Sequence, residues 1–274
     1  MPVSEVLEEP CPECGGRGWV VVADGRAGTA RQCACRQRDI IPRLLAGAGI
    51  PERYRACRIS NFQVSNPMPE IRDQLLRART IAQRYADEFL GEEGFSRLGL
   101  IFTGPPGVGK THLAVGVMVE IVERYRIQGR FVELNALINK IQGTFSATAP
   151  ESTQEVLNPV LDAPFLVLDE LGTQQTTPWV QDILYLIINT RYRERLPTLF
   201  TTNYRLDVAK EAVVKNARNL DRGADPEPAP RKAPEALANR LSPMILSRIH
   251  EMAKPVTMDS VKDFRREVYG AHLR

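Results

Sequence analysis

A chain of 274 residues with 43% apolar side chains can bury a full core, but its net charge of +3 is too small to argue by itself for nucleic-acid binding. No stretch approaches the ~18 uninterrupted apolar residues of a membrane span. Glu5, Glu8 and Glu9 stand where a secretory signal would be basic and then apolar, so a cytoplasmic protein with no membrane association is expected.

At roughly 150 residues per domain, the length suggests one large domain and a smaller companion. The companion comes first. Four of the five cysteines form two close pairs, Cys11 with Cys14 and Cys33 with Cys35. A disulfide framework is not expected in the cytoplasm, which leaves metal as the reading. Cys11-Pro12-Glu13-Cys14-Gly15-Gly16 has the form of a zinc knuckle, two thiolates followed by glycines that let backbone N–H groups turn toward sulfur. Four thiolates make a closed tetrahedral Zn²⁺ site, structural and with no position left for catalysis. The CxC spacing of the second pair is less usual, and free thiols or a redox pair are the alternative. Cys57 stands alone and reads as a small core residue. Residues 1–58 are therefore expected to form a zinc-binding partner-interaction module. Its second half, Arg31 to Arg58, holds seven arginines against Asp39 and Glu52. Such a segment can contact phosphate or an acidic protein face, although arginine-rich helices are common without a ligand.

Residues 59–95 read as a linker carrying an amphipathic helix over 69–90, with Ile71, Leu75, Leu76, Ile81, Tyr85 and Leu90 at roughly helical spacing. From Leu98 onward apolar strands alternate with helical runs: Leu98 to Phe102, Phe131 to Leu134, Phe165 to Asp169, Thr198 to Thr202 and Pro255 to Met258. That order predicts an α/β fold, a parallel five-stranded sheet flanked by helices, over residues 96–274. Directly after the first strand comes Gly104-Pro105-Pro106-Gly107-Val108-Gly109-Lys110-Thr111, the GxxxxGK[ST] phosphate-binding pattern; His112 is expected to join it in binding the nucleotide and opens the amphipathic run to Arg124. Glycines let successive backbone N–H groups face the phosphates and the helix adds the positive end of its dipole. Lys110 would reach the β- and γ-phosphates of ATP, and Thr111 the Mg²⁺.

Phe165-Leu166-Val167-Leu168-Asp169-Glu170 is a buried parallel strand whose tip carries two acids with separable tasks. Asp169 is expected to hold Mg²⁺ with Thr111, and Glu170 to orient and deprotonate the attacking water. The next strand ends at Asn203, whose amide can bond the γ-phosphate or that water, or simply make a turn. The loop Gln142 to Thr153 is polar, with Phe145 its one aromatic platform for a base. Residues 216–236 are proline-rich and polar and read as a mobile insertion.

The combination of GPPGVGKTHLA, FLVLDELG, ILYLIINTRYRERLPTLFTTNY, LSPMILSRIHEM and DFRRE resembles the AAA+ P-loop ATPases of the DnaC/DnaI helicase-loader and IstB transposition-helper family, over roughly residues 50–270. The resemblance implies that Asn203 is the sensor 1 residue. It also implies an arginine finger acting on a neighbouring subunit's ATP, at Arg248 with Arg240 as second candidate. Arg265 would be the sensor 2 arginine, with Arg266 as fallback, although Val261 stands where the family has glycine. Related loaders carry N-terminal cysteine modules followed by a segment like Ile50-Pro51-Glu52-Arg53-Tyr54-Arg55, and dock their helicase there. The implied function is ATP-dependent loading of a replicative hexameric helicase onto single-stranded DNA, with self-assembly on ATP and DNA. An IstB-like transposition helper is the alternative, and an ATP-binding adaptor with little hydrolysis the second.

Overall fold

Strand β3 (Gly99–Thr103), β5 (Phe165–Asp169) and β6 (Thr198–Thr202) are buried along their whole length, as expected of central strands in a parallel sheet covered on both faces. The computed structural model describes residues 11–14, 19–22, 29–33, 40–65, 68–91, 99–146, 150–174, 177–206 and 236–259. Before the sheet come an antiparallel hairpin, β1 (Trp19–Val22) and β2 (Thr29–Gln32), and the helices α1 (Ile40–Gly47) and α2 (Pro69–Asp87). Helix α3 (Lys110–Tyr125) follows β3, and β4 (Gly129–Glu133), α4 (Leu134–Gly143) and α5 (Thr153–Leu161) lead to β5. Helix α6 (Pro178–Arg193) joins β5 to β6, and α7 (Pro243–Met252) precedes β7 (Ala253–Thr257). The sheet order is β4-β5-β6-β3-β7, and every pairing is parallel. Pro255 is tolerated because β7 is an edge strand, where a missing N–H breaks no central ladder.

Strand alternation divides the core into two layers. Leu100, Phe102, Phe165, Val167 and Leu199 face α2 and α3, whereas Ile101, Leu166, Leu168 and Phe200 face α4 to α7. Each fully buried Leu, Ile or Phe side chain contributes about 1.5–3 kcal/mol of hydrophobic stabilisation. Helix α3 is apolar nearly all round because two elements cover it: the sheet on one side, and α2 with residues 48–62 on the other. At Gly116 a Cβ would lie 2.8 Å from the backbone nitrogen of Ile59, so only glycine admits the chain there.

The buried face of α2 differs from the expected one. Ile71, Leu75, Ala78, Ala82, Tyr85 and Ala86 are buried, whereas Leu76 is 40% exposed. Alanines carry the close packing against α3, and Leu76 lies off that stripe. The helix ends at Asp87, so helical spacing does not reach Leu90, which is 62% exposed. Residues 48–62 also join this layer through Ala48, Ile50, Cys57, Ile59 and Phe62, and so pack as part of the same core as α2 and α3.

One charged side chain holds the opposite edge of the sheet. Arg191, 0% exposed, donates to Thr198 Oγ1 at 2.8 Å and to the carbonyls of Val160, Leu161, Ala163 and Pro197 at 2.8–3.2 Å. Those carbonyls include the unsatisfied C-terminal groups of α5, which need donors. Burial lowers the guanidinium pKa to about 10, and it stays charged at neutral pH.

Candidate functional site

The carboxyl ends of β3, β5 and β6 converge on one edge, the usual crevice of an open parallel sheet. Beyond β3 the chain turns through Gly104, Gly107 and Gly109 with φ of 147°, 84° and 94°, backbone that side chains rarely adopt. A Cβ at Gly104 would lie 2.7 Å from the Met258 carbonyl oxygen and one at Gly109 would lie 2.6 Å from the Phe62 ring. Lys110 opens α3, is 7% exposed, and folds its Nζ over the loop, donating to the carbonyls of Gly104 at 2.8 Å and Pro105 at 2.7 Å. Pro106 and Val108 complete the loop, and Val108 is buried.

Asp169 ends β5, and Thr111 Oγ1 donates to its Oδ1 at 2.9 Å. The strand between them supplies a third member: Thr201 on β6 donates to the same oxygen at 2.6 Å. Thr201 also accepts the Glu170 N–H at 3.0 Å, while the Leu171 N–H bonds the Thr201 carbonyl at 2.8 Å and Thr202 Oγ1 donates to the Leu171 carbonyl at 2.7 Å. Glu170 is held at φ 61°, a left-handed conformation that costs a non-glycine residue about 1–3 kcal/mol and is found where the surroundings over-determine it. Thr173 supports the turn by donating to the Glu170 carbonyl at 2.8 Å, and Asn135 Nδ2 donates to Thr173 Oγ1 at 3.0 Å. Burial pushes the Asp169 carboxyl above its ordinary range against the pull of the two threonine hydroxyls. The Glu170 carboxyl is also raised, by burial first and then by the charges of Asp169 and Glu133, with Arg53 and Lys110 opposing. A magnesium ion fits this donor set: a hydroxyl and a carboxylate already in contact, hard oxygens at the mouth of an anion-binding loop.

Asn203 follows the last residue of β6, between the strand carrying Asp169 and the strand carrying the loop. His112 turns away from the loop. Its Nε2 bonds the Arg58 carbonyl at 3.0 Å and Asn61 Oδ1 at 2.9 Å, its ring meets Phe62 edge-on, and burial lowers its pKa. It therefore ties α3 to residues 58–62. Arg248, on α7, donates to Asn189 Oδ1 at 3.0 Å and to the Met244 carbonyl at 3.0 Å and lies over Tyr185, gathered on α6 and α7 apart from the loop of its own chain. Arg240 lies over the ring of Tyr204, next to Asn203, and its carbonyl accepts from Gln181 at 2.7 Å. Arg265 and Arg266 lie outside the described residues, as does the proline-rich stretch except Ala236.

Thr201 is an addition that the sequence reading did not single out. The buried TLFTT run reads as sheet filler. Tyr54 sits in a short 3-10 turn, Glu52–Tyr54, with its ring 6.2 Å from Phe131.

At the N-terminus, Cys11, Cys14 and Cys33 bring their Sγ atoms within 4.8 Å of one another, with Cys11 and Cys33 at 3.7 Å. The cluster can hold a metal; Cys35, the expected fourth ligand, lies outside the described residues. The Glu13 carboxylate lies 3.3 Å from Cys33 Sγ.

Comparison with known proteins agrees with this geometry. The family described as IstB-like ATP binding protein matches residues 77–217. The replicative helicase loader DnaC of Buchnera aphidicola subsp. Schizaphis graminum is 28% identical over 164 residues, 59% of this chain and 61% of that protein. The replicative helicase loader DnaI of Bacillus subtilis is 26% identical over 162 residues, 59% of this chain and 46% of that protein. The match thus spans less than two thirds of these relatives' own length. A crystal structure of the DnaC helicase loader superposes with a TM-score of 0.55 at 27% identity, covering 76% of this chain and 99% of that one.

Proposed function

Because the chain belongs to the IstB-like ATP-binding family, in the AAA+ group with the DnaC and DnaI helicase loaders, we propose that it hydrolyses ATP to place a replicative helicase on single-stranded DNA. The observation that carries the hydrolytic part is the Thr111–Asp169–Thr201 network beside a phosphate loop, with Glu170 held next to it in a strained conformation. Loop N–H groups and the start of α3 bind the triphosphate, and Lys110 leaves its carbonyls to meet the β- and γ-phosphates. Thr111 and Asp169 would hold magnesium, which would neutralise phosphate charge. Glu170 takes the proton of the attacking water and Asn203 fixes the water or the γ-phosphate. Arg265 touches the nucleotide from the same chain.

Arg248 acts on a neighbouring subunit, where a guanidinium at the γ-phosphate is worth about 10³ to 10⁵ in rate. Its described partners lie on α6 and α7 rather than on its own chain's loop, which supports that role. Turnover is then slow in the monomer and rises on self-assembly with ATP and DNA. Phe145, 63% exposed and set edge-on to Trp179 at 5.7 Å, offers a face on which a base can stack. Cys11, Cys14, Cys33 and Cys35 would hold zinc, which would cross-link the hairpin that presents the helicase-docking module. No helix among the described residues is long and apolar enough to cross a membrane, and the proposed work is cytoplasmic.

A transposition helper is the second reading, favoured by the IstB-like match. The test is co-purification of the full chain with ATP and each partner class in turn. Retention of a hexameric helicase, weakened at least ~10-fold by a Cys11→Ser, Cys14→Ser pair, supports loading. Retention of a transposase alone replaces loading with the second reading.

A further inference from the structure

The turn that carries Glu170 is densely bonded up to its last residue. The N–H and carbonyl groups of Glu170 and Leu171 are engaged by Thr201, Thr202 and Thr173, and the Thr173 hydroxyl also accepts from Asn135. Thr173 hooks the Glu170 carbonyl twice, through its hydroxyl at 2.8 Å and its N–H at 3.3 Å, which makes residues 170–173 one unit. Gly172, at φ 89°, brings that unit against Leu237, where a Cβ would lie 2.7 Å from Cδ1. Gln174 breaks the pattern. It is 7% exposed, yet neither its Nε2 nor its Oε1 has a hydrogen-bond partner among the described residues. The large majority of buried side-chain polar atoms are paired, and an unpaired one costs about 5- to 150-fold in an equilibrium. An apolar side chain at 174 would leave nothing unpaired, so the amide weakens the fold and serves something else. Three residues on, Thr177 caps α6 by accepting the Val180 N–H at 3.3 Å. Gln174 thus lies between the Glu170 turn and the helix whose Asn189 and Tyr185 hold Arg248.

We infer that Gln174 is a positioning residue for the Glu170 turn, its amide unpaired in the arrangement described and paired in a second arrangement that a bound nucleoside triphosphate selects. This rests on the nucleotide-site reading above. Two costs coincide within five residues, the left-handed backbone of Glu170 at φ 61° and the unpaired amide. Because Thr173 ties Glu170 to the residue before Gln174, one movement of the turn relieves both. The triphosphate has a direct route to it. Lys110 is bonded to the Gly104 and Pro105 carbonyls and must leave them to meet phosphate, and Asp169, bonded to Thr111, immediately precedes Glu170. The amide is then a free-energy difference between two arrangements. It destabilises the first and strengthens nucleotide binding to the second by the same factor.

Full-length Gln174→Met keeps an unbranched side chain of similar reach and removes both unpaired atoms. Its melting temperature should rise by about 2–6 °C. Its affinity for the non-hydrolysable analogue AMPPNP with magnesium, measured by calorimetry, should fall about 10-fold. A fixed concentration of AMPPNP should therefore raise its melting temperature less than the parent's. Gln174→Leu, a second apolar replacement, should behave alike. A higher melting temperature with parental AMPPNP affinity would overturn the inference, because the amide would then be unpaired to the same extent with and without nucleotide. A lower melting temperature in both variants would also overturn it, since the amide would then support the fold as it stands. Failure of the parent chain to bind AMPPNP defeats the nucleotide-site reading and this inference with it, whereas parental binding unchanged in both variants defeats this inference alone.

Discussion

The two ends of the central strands carry opposite kinds of buried polar network. At the amino ends, Arg191 meets four carbonyls and a threonine hydroxyl, so its donors are matched by acceptors that α5 and the start of β6 need satisfied. At the carboxyl ends, Asp169 and Glu170 have raised pKa values, Lys110 rests on loop carbonyls, and Glu170 is strained. The first network is closed upon itself. The second is arranged so that a bound anion and cation improve it. A charge saturated by backbone acceptors stabilises a fold, whereas charges held short of saturation are available to a ligand.

Substitutions that separate stability from ligand binding sharpen this contrast. Arg191→Met strands the carbonyls and should cost about 3–5 kcal/mol in urea unfolding, with nucleotide affinity of the remaining folded protein unchanged. Lys110→Ala should do the reverse: ATP affinity falls about 100-fold by calorimetry, roughly 2.7 kcal/mol, while the unfolding midpoint moves little. Thr201→Val lies between the two, because its hydroxyl both donates to Asp169 and accepts from Glu170. It should cost about 1–2 kcal/mol of stability and roughly 10-fold in turnover, read from a melt and a steady-state ATPase assay on one preparation. If Arg191→Met abolished nucleotide binding while leaving stability intact, the two ends would not differ in the way described.

The elements of the sheet were legible because each strand announces itself locally. A run such as Phe165 to Asp169, apolar and then acidic, describes burial and exposure along a single strand, and the glycines of the loop announce backbone that only glycine adopts comfortably. Thr201 was not legible, since its partner Asp169 is 32 residues away and reached only through strand pairing. His112 reads with the phosphate loop by adjacency, yet at the third position of α3 its side chain points toward residues 58–62. Periodicity found Ile71, Leu75 and Tyr85 of α2 but missed Ala78, Ala82 and Ala86, which complete the packed face while Leu76 and Leu90 are exposed, because close helix approach favours small residues that a hydrophobicity pattern underweights.

The central claim is that the carboxyl end of the sheet hydrolyses ATP and does not merely bind it. Glu170→Gln keeps the shape of the turn and removes the base, so single-turnover hydrolysis of pre-bound ATP isolates its contribution. The account predicts at least a ~100-fold slower chemical step with ATP affinity within about 3-fold of the parent. A chemical step at the parental rate would contradict it.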